Sequence, residues 1–426
     1  MKKIISLVAL IGLLVVVWLG ASFYSARTTG NYITSLPELY KQNSYMHIKT
    51  VEHQQSAFSS AGKFEIRYPN LFPAADGGVS SAIGLIVEYK INNLLLPSSA
   101  GRIEWKLTGD DAIDAELKKL MGQGAAVHGK GIIHYNGERQ SSVELSELLF
   151  KDSTNSFQLT PLKGMATWDN QKLKLQLNAD HLNIRADKHV TDWRGISIEV
   201  NLSDRILGLG TYSFNISQGK SETSTFEDMK LKKTISLAND RFNIVIAQTI
   251  KGFVFDKIKL SDMSQEFVLR DLDKDSITAL QTTLRDVKDL NQLTPVERSQ
   301  LAKSLRGLLD KGFSVGFPSI SAKIDDGTIK GNVNIEILKS EGPADAPFVS
   351  AQRLRALGEL SVNGKAGLDD TQRSTALMLG LALATPEGLK ASFEFAKGVL
   401  TVNGKSHQVS QYLVGADSFI NAALNP

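Results

Sequence analysis

Ser314 lies in a segment, GFSVG at 312–316, that has the G-x-S-x-G spacing of the serine hydrolase elbow. In that elbow a strand leads into the serine and a helix follows it, so that the hydroxyl stands exposed on a sharp turn. Here the sequence predicts the opposite order, a helix before Ser314 and a strand after it, and Pro318 blocks a following helix. We therefore interpret Gly312 as the residue that ends a helix, and we predict no nucleophile at Ser314.

Asp271, Asp273 and Asp275 have the spacing that opens a calcium-binding loop. That loop requires glycine at its sixth position and glutamate at its twelfth, where this chain has Ser276 and Thr282. Acidic residues ahead of a helix also serve as ordinary caps, because they accept hydrogen bonds from the first backbone N–H groups. We predict this capping role and no calcium site.

The histidines also lack a metal-binding pattern. His128 and His134 are predicted to share one face of a strand, but no carboxylate at ligand spacing accompanies them. The full set is His47, His53, His128, His134, His181, His189 and His407. The chain has no cysteine, which excludes disulfides, thiolate catalysis and cysteine metal sites. The sequence thus predicts no catalytic, cofactor-binding or metal residues, no cofactor, and a protein that is not an enzyme.

The charge balance argues against nucleic acid as a partner. The chain has 48 Lys and Arg residues against 45 Asp and Glu residues. The excess comes from Lys2, Lys3 and Arg27, so the rest of the chain is neutral. Nucleic-acid binding requires clustered positive charge to neutralise phosphates.

Residues 1–27 are predicted to be a signal anchor, that is, a single transmembrane helix. The stretch 4–24 is uncharged, and at about 1.5 Å per residue it matches a hydrocarbon core roughly 30 Å thick. Trp18, Phe23 and Tyr24 lie at its far end, where aromatic rings favour the headgroup level. A cleaved signal peptide is the alternative.

Lys2 and Lys3 indicate that the N-terminus is cytoplasmic and that the remaining chain is outside the cytoplasm. The predicted location is the bacterial inner membrane, crossed once, with the C-terminal body in the periplasm. The next apolar run, ALMLGLALA at 376–384, is too short to cross a membrane, and we predict a buried core helix there.

Residues 28–270 are predicted to be a β-rich periplasmic region, because apolar residues there alternate with polar ones. A hairpin is expected around residues 46–68 and another around Asn136-Gly137. Three long consecutive strands are expected at 224–238, 242–255 and 258–269. A helix starting at Asp110 or Asp111 and ending at Met121 interrupts the pattern.

Residues 271–426 are predicted to be an α+β periplasmic region with helices and C-terminal hairpins. One helix is expected from Asp273 or Asp275 to Val287. Another starts at Thr294, where Pro295 and Glu297 complete a capping box.

The predicted fold class is α+β and β-dominated, with long antiparallel meander sheets and interspersed helices, elongated, on one N-terminal transmembrane helix. Half-buried sheets of this kind are apolar on one face and polar on the other. The residues predicted to line a core or groove are Trp105, Phe157, Leu173, Leu175, Leu177, Ile198 and Phe255.

The two ends of the chain carry a family resemblance. The hairpin at 58–60 (FSS) and the run GLKASFEFAKGVLTVNGK at 388–405, followed by VSQYL at 409–413, resemble the YdgA-like bacterial proteins of unknown function. The chain departs from that family at 91–97 (INNLLLP), where a His-Gly-Pro segment is expected. The resemblance implies an inner-membrane anchored envelope protein of Gram-negative bacteria, and it supplies no catalytic residues.

These observations favour a non-enzymatic binding, scaffolding or envelope-maintenance role. One form of this role shelters lipid or another apolar ligand along a β-groove, because an apolar sheet face needs cover. The expected partners are the inner membrane, through the N-terminal helix, and lipid or envelope proteins. Two alternatives stay open: an envelope hydrolase with an unrecognised site, and docking of a partner strand on an exposed sheet edge.

Overall fold

The computed structural model of the chain falls into two compact units. One unit comprises Met1–Asp187 with Ile198–Gly208, and the other comprises Lys188–Ser197 with Leu209–Pro426. The predicted boundary at residue 270 follows element type and stays a prediction. The structure describes residues 2–40, 47–68, 83–93, 99–109, 127–151, 154–186, 189–256, 258–285, 293–325, 327–343, 346–364, 366 and 368–425.

The first unit combines one long helix with a set of antiparallel strands. The helix is α1 (Lys2–Leu39), and the first part of its sequence is the predicted anchor. The strands are β1 (His47–Gln55), β2 (Ser59–Tyr68), β3 (Ile83–Asn92), β4 (Gly101–Gly109), β5 (Val127–Ile133), β6 (Arg139–Leu145), β7 (Leu148–Lys151), β8 (Asn155–Leu159), β9 (Leu162–Trp168) and β10 (Leu173–Ala186).

These strands form a meander with one insertion. Strands β1 to β6 pair in sequence order, β6 pairs with β9, and β9 pairs with the first half of β10. The β7–β8 hairpin joins the second half of β10. The core of this unit is a cluster in which helix α1 contributes Ile33 and the sheet contributes Phe64, Tyr89, Ile91 and Ile133.

The second unit is a longer antiparallel meander. Strand β11 (His189–Asp204) divides between the units at Ile198. The following strands are β12 (Leu209–Ser221), β13 (Ser224–Ala238), β14 (Arg241–Phe255), β15 (Ile258–Asp273), β16 (Phe313–Ile324), β17 (Gly327–Ile337), β18 (Leu354–Asn363), β19 (Leu383–Thr385), β20 (Gly388–Ala396), β21 (Val399–Val402) and β22 (Lys405–Gln408).

Strands β12 to β18 pair in sequence order, and β18 then pairs with β20, β20 with β21, and β21 with β22. The short strand β19 pairs with the start of β20. The helices of this unit are α2 (Lys274–Arg285), α3 (Pro295–Lys311), α4 (Ser350–Arg353), α5 (Asp370–Met378) and α6 (Ser410–Leu424).

The caps of α3 follow from its sequence. The Thr294 side chain accepts from the backbone N–H of Glu297, the Glu297 carboxylate accepts from the backbone N–H of Thr294, and Pro295 begins the helix. Gly312 ends it with φ of +70°, a conformation that favours glycine. The predicted capping box and the predicted helix end are both confirmed.

Asp273 ties α2 and α3 to the end of β15. Its Oδ2 accepts from the backbone N–H and the hydroxyl of Ser276 at 2.9 and 2.7 Å, and its Oδ1 contacts Lys311 Nζ at 2.8 Å. Burial by itself raises the pKa of Asp273, but the hydrogen bonds from Lys311 and Ser276 outweigh it, and the pKa is lowered from 3.8. The predicted capping role of this aspartate is confirmed.

Replacing Asp273 with asparagine is expected to cost about 1–2 kcal/mol of unfolding free energy near neutral pH, because the charge-assisted bonds are lost. A lowered carboxylate pKa contributes stability above the unfolded value, and this contribution disappears as pH falls through the folded value. The difference between the wild type and Asp273→Asn should therefore shrink as pH falls from 5 through 3.8 and below. Urea unfolding at a series of pH values checks this, and a constant difference would contradict it.

The β-dominated fold class, with antiparallel meanders and few helices, is confirmed. Strands predicted at 224–238, 242–255 and 258–269 correspond to β13, β14 and β15, and the hairpins at 46–68 and Asn136-Gly137 are present as β1–β2 and β5–β6. The helix predicted from Asp110 to Met121 lies outside the described residues. Among the helices that the structure describes, none is both long enough and apolar enough to cross a bilayer, and the anchor at 1–27 stays a prediction.

The buried core helix predicted at 376–384 is wrong. Helix α5 ends at Met378, and Gly380 takes a positive φ of +69° just beyond it. Ala382 is buried, whereas the large side chains of this run are exposed on the other side of the segment. The exposed side chains are Leu377, Met378, Leu379, Leu381 and Leu383.

Candidate functional site

Helix α1 packs on the sheet of the first unit through a narrow stripe of buried side chains. Ser22, Ala26 and Ile33 have exposed fractions of 0, 1 and 4%, and they follow helical spacing. The Ser25 hydroxyl donates to the Ala100 carbonyl at 3.3 Å, and the Gln55 amide donates to the Ala26 carbonyl at 3.2 Å. Contact with the sheet thus includes the last turn of the predicted membrane segment.

Arg139 is a charged residue on the apolar side of the first sheet. Strand register aligns it with Ile133 on β5 and with Trp168 on β9, and Trp168 in turn pairs with Leu173 on β10. Cross-strand partners point to the same face of a sheet. A guanidinium group therefore stands in a row of apolar side chains.

The Arg139 guanidinium stacks on an aromatic ring of helix α1. Its Cζ lies 4.0 Å from the centroid of the Tyr32 ring, a cation–π geometry. Arg205 also binds this segment: its Nη2 donates to the Tyr32 hydroxyl at 2.5 Å, and its Nη1 donates at 2.7 Å to the hydroxyl of Tyr40, one residue beyond the end of α1. Two cations therefore contact the tyrosines at the C-terminal end of this helix.

Asp169 offsets the positive charges of Arg139 and Arg205 only in part. Within the part of the chain that the structure describes, Arg139 and Arg205 form no ion pair, and Arg139 Nη1 is buried without a hydrogen-bond partner. The nearby Asp169 accepts from the backbone N–H groups of Lys172 and Gln171 at 2.6 and 2.7 Å, and these bonds lower its pKa. The carboxylate of Asp169 is thus engaged by its own loop.

Burial is the main reason that the pKa of Arg139 is lowered from its usual value. The positive charge of Arg205 lowers it further, while Tyr32 and Asp169 partly oppose the shift. Removing a charged group from water is costly unless a counter-charge and hydrogen bonds compensate. Within the described residues this compensation is only partial for Arg139, because no carboxylate forms an ion pair with it.

An open cavity of about 610 Å³, which we call the α1 cavity, lies between helix α1 and the ends of the neighbouring strands. Tyr24 and Tyr135 on its wall are exposed to 73 and 60%. Its lining residues are Ala21, Tyr24, Ser25, Thr28, Thr29, Tyr32, Ala100, Ile133, His134, Tyr135, Asn136, Gly137, Arg139, Asp169, Asn170 and Gln171.

The second unit carries a continuous apolar surface on one side of its sheet, which we call the apolar face. Register aligns its side chains in rows that run across the strands. One row contains Ile235, Ile244, Leu269, Val315, Ile335, Ala356, Phe395 and Leu400. The next contains Tyr212, Ile246, Phe267, Phe317, Val333, Phe393 and Val402.

The residues of these rows are half-buried, apart from Ala356 and Phe395, which are buried. Lys233 interrupts the second row, and its Nζ lies over the Tyr212 ring at 5.8 Å. The opposite side of the sheet is more polar and is exposed in places, for example at Lys232 and Thr249, while Val268 on that side is buried. The two sides thus have the amphipathic pattern of a sheet that covers something apolar.

One end of the apolar face is covered from within the unit. Val362 and Leu389 form a cluster with Ala366 and Ala382, and Ala376 of α5 packs against it. Helices α2 and α3 make their main sheet contacts with β15, and α6 packs on α3 and α4. The described helices therefore leave the rows over β12–β14 without a helical layer.

The residues considered for catalysis and metal binding are not assembled into a site. Ser314 is the second residue of β16, after helix α3, the reverse of the order in a nucleophile elbow. His53 Nδ1 lies 2.7 Å from the Tyr89 hydroxyl, and His128 Nε2 lies 4.0 Å from the Glu144 carboxylate. Among the described residues, no three His, Asp or Glu side chains are grouped so as to hold a metal ion. His134 lines the α1 cavity.

Most residues predicted to line a core or groove are at least half-buried. Trp105 packs on the core of the first unit and its Nε1 donates to the Ser141 hydroxyl at 2.8 Å. The others that are half-buried are Phe157, Leu173, Leu175, Leu177 and Ile198. Phe255 is 49% exposed, because it ends β14 beside a turn, so it does not lie in a core, and its role in lining a groove stays a prediction. Sequence reasoning missed Arg139 and Arg205.

Comparison with protein families gives one result for nearly the whole chain. The family described as "Bacterial protein of unknown function (DUF945)" matches residues 1–410. Comparison with curated proteins and with solved structures finds no match. A function can therefore be inferred only from the geometry of the α1 cavity and of the apolar face.

Proposed function

The chain belongs to the DUF945 family of bacterial proteins of unknown function, and we propose that it is a non-enzymatic envelope protein that shelters lipid acyl chains along its apolar face. In this proposal residues 1–27 anchor it in the inner membrane, and the body lies in the periplasm. The observation that carries the proposal is the alignment of apolar side chains in rows across the second unit, the first of which is uninterrupted over eight strands. Within the family, the proposal extends to the YdgA-like members that the two ends of the chain resemble.

The length of the rows suits acyl chains. The first row runs from β13 to β21 over eight strands, and neighbouring strands lie about 4.8 Å apart, so the row measures roughly 34 Å along the sheet. One leaflet of a bilayer has a hydrocarbon depth of about 15 Å, half of the ~30 Å core. An extended acyl chain laid across the strands therefore fits within the row and contacts apolar side chains along its whole length.

The half-buried side chains of the apolar face can gain free energy by being covered. Soluble proteins seldom expose contiguous apolar patches larger than a few hundred Å², and such patches mark interaction sites. Each methylene group moved from water onto the face gains about 0.8 kcal/mol. A lipid tail that leaves a bilayer loses the contacts of more than ten methylene groups. Binding to the protein offsets this loss of free energy only if most of those groups contact apolar side chains, and the rows are long enough to provide such contacts.

Helix α1 supports the proposed anchoring. Trp18, Phe23 and Tyr24 are exposed on it, and the buried stripe that packs it on the sheet of the first unit includes Ser22. Aromatic side chains left exposed at this point favour the headgroup region of a bilayer. The body would then start where the membrane ends.

Strand docking on a sheet edge is less favoured as a function. The terminal strand β22 has four residues, all exposed, and it includes Lys405. Short edge strands with lysine are typical protections against unwanted strand pairing. No described feature favours the hydrolase alternative.

The test compares two charge substitutions on opposite faces of β14. Ile246→Glu places a carboxylate on the apolar face, and Thr249→Glu places the same charge on the polar face. We expect Ile246→Glu to retain about tenfold less lipid, because burying a carboxylate against hydrocarbon costs several kcal/mol. The measurement is lipid per protein, by mass spectrometry, for the full chain purified from the membranes of a Gram-negative host in mild detergent.

Thr249→Glu controls for charge, strand and expression, and lipids bound at the anchor are common to both variants. Leu231→Glu, at a position on the same face that is already 37% exposed, repeats the test with less risk to folding. Equal lipid content in all three variants, or a folded wild-type protein free of lipid, would refute the proposal. Protease added to spheroplasts should digest the body, and full protection would refute the periplasmic location.

A further inference from the structure

We infer that the α1 cavity of the first unit is a binding site for the headgroup of an anionic phospholipid, with Arg139 as the partner of its phosphate. This site is separate from the apolar face of the second unit and goes beyond the proposed sheltering of acyl chains. Only its placement at the membrane surface rests on the proposed anchoring.

The positive charge of Arg139 favours the binding of an anion at this site. Arg139 Nη1 is buried and has no hydrogen-bond partner, and Arg139 forms no ion pair among the described residues. The one carboxylate in the cavity wall, Asp169, is held by backbone N–H groups of its own loop. A phosphate oxygen would supply the missing acceptor, and guanidinium–phosphate pairs are among the stronger charge-assisted hydrogen bonds in proteins.

Arg205 holds this arrangement in place. Its guanidinium donates to the hydroxyls of Tyr32 and Tyr40 and to the Asn170 carbonyl, at 2.5, 2.7 and 3.3 Å. It thereby fixes the tyrosine ring on which Arg139 stacks. A second positive charge near the cavity further favours an anionic over a neutral ligand.

The position of the cavity, beside the end of the predicted membrane segment, favours a lipid over a free anion. On its wall, Ala21 and Tyr24 belong to the last turn of the uncharged stretch that ends at Tyr24, and Ser25 and Thr28 belong to the turn of α1 that follows. At about 1.5 Å per residue, the cavity lies within one or two helical turns of the end of the apolar stretch. A headgroup can therefore enter it while the acyl chains stay alongside the helix.

The size of the cavity agrees with a headgroup. Its volume of about 610 Å³ lies in the range of small-molecule sites, about 300–1,000 Å³. Tyr24 and Tyr135 are exposed on its wall, and tyrosine suits a boundary with one apolar and one wet side. The cavity holds a glycerophosphate group and leaves the tails outside.

The experiment is native mass spectrometry of the full chain in detergent micelles. Dioleoylphosphatidylglycerol and dioleoylphosphatidylcholine, which share their acyl chains, are added at equal mole fraction. We expect the wild type to retain the anionic lipid about tenfold more than the zwitterionic lipid, and Arg139→Gln to retain the two equally. Arg185→Gln is the matched control, because it removes the same charge from an exposed position on β10 of the same unit.

Ala21→Trp fills the cavity from the exposed side of α1 without removing a charge, so it tests the site even if Arg139→Gln fails to fold. It should also abolish the preference. Equal retention of both lipids by the wild type, or an unchanged preference in Ala21→Trp, would overturn the inference. Displacement of the lipid by inorganic phosphate at equal concentration would overturn the assignment to a lipid. Ile246→Glu should leave the preference intact, so the two proposals fail separately.

Discussion

Replacing Arg353 with methionine should lower the unfolding free energy of the second unit by about 3–5 kcal/mol, the usual effect of breaking a buried charged network. The Arg353 side chain is only 14% exposed, and its Nε donates to the Leu338 carbonyl at 2.7 Å. Its Nη2 donates to the Leu309 carbonyl, and its Nη1 lies 3.8 Å from the Asp310 carboxylate. Methionine fills a similar volume but leaves all three acceptors without this donor.

This side chain connects elements that are distant in sequence. Leu309 and Asp310 are in the last turn of α3, Leu338 follows β17, and Arg353 also lies 5.4 Å from the centroid of the Phe348 ring. Burial lowers the pKa of Arg353, and Asp310 opposes that shift. The guanidinium is charged at every pH of interest, so its loss should destabilise the unit at all of them.

Arg355→Met, on β18 and two residues after Arg353, is the matched control. Its side chain is 58% exposed and lies 3.5 Å from the Glu336 carboxylate, and exposed pairs of this kind contribute about 0–1 kcal/mol. Hydrogen exchange resolves the effect by unit: amides of β16–β18 should lose protection in Arg353→Met, and amides of the first unit should not. Similar losses in the two variants would contradict the assigned role of Arg353.

The long strands could be predicted from sequence because their alternation is local and extended. β13 matches its predicted bounds, and β14 and β15 differ from theirs by a few residues at the ends. The start of α3 could also be predicted from the sequence, because Thr294, Pro295 and Glu297 make a complete capping signal within four residues. In both cases the residues that decide the structure are neighbours in the chain.

The run at 376–384 could not be placed for the opposite reason. Its residues are apolar at nearly every position, so no periodicity indicates which side faces the sheet. In the structure the small residues Ala376 and Ala382 make the contact, and the leucines and Met378 point away. Apolar character alone does not establish burial.

Only part of the α1 cavity could be predicted from the sequence. Arg139 has the same parity in β6 as Val143, which is buried, so alternation indicates that it faces the apolar side. The cavity itself depends on β6 pairing with β9 and on Arg205 reaching Tyr32, 173 residues away in sequence. Contacts at that separation have no local signal.

Replacing Phe64 with alanine should destabilise the first unit by about 3–5 kcal/mol, because a large buried ring is removed and a cavity is left. Phe64 is 7% exposed and stacks on the Tyr89 ring with centroids 5.0 Å apart. Both rings belong to the cluster that receives Ile33 of α1. Urea unfolding of the full chain measures the loss, and Phe255→Ala is the control, since that ring is 49% exposed and should change stability by less than about 0.5 kcal/mol.

A second readout follows from Tyr89. Burial, with a smaller contribution from Glu52, raises the pKa of Tyr89 to about 12, and Phe64→Ala should bring it back toward 10.0 by admitting water to the ring. A raised tyrosine pKa contributes stability below the unfolded value, and that contribution is lost as pH rises through the folded value, so the two proteins should converge between pH 10 and 12. Tyrosinate absorbance follows the titration.

Because the same cluster holds Ile33, amides of α1 should lose exchange protection together with those of β2 and β3. If α1 kept its protection while the sheet lost its own, contacts outside this core, such as those of Arg139 and Arg205 with Tyr32, would hold the helix, and the α1 cavity would persist without the core.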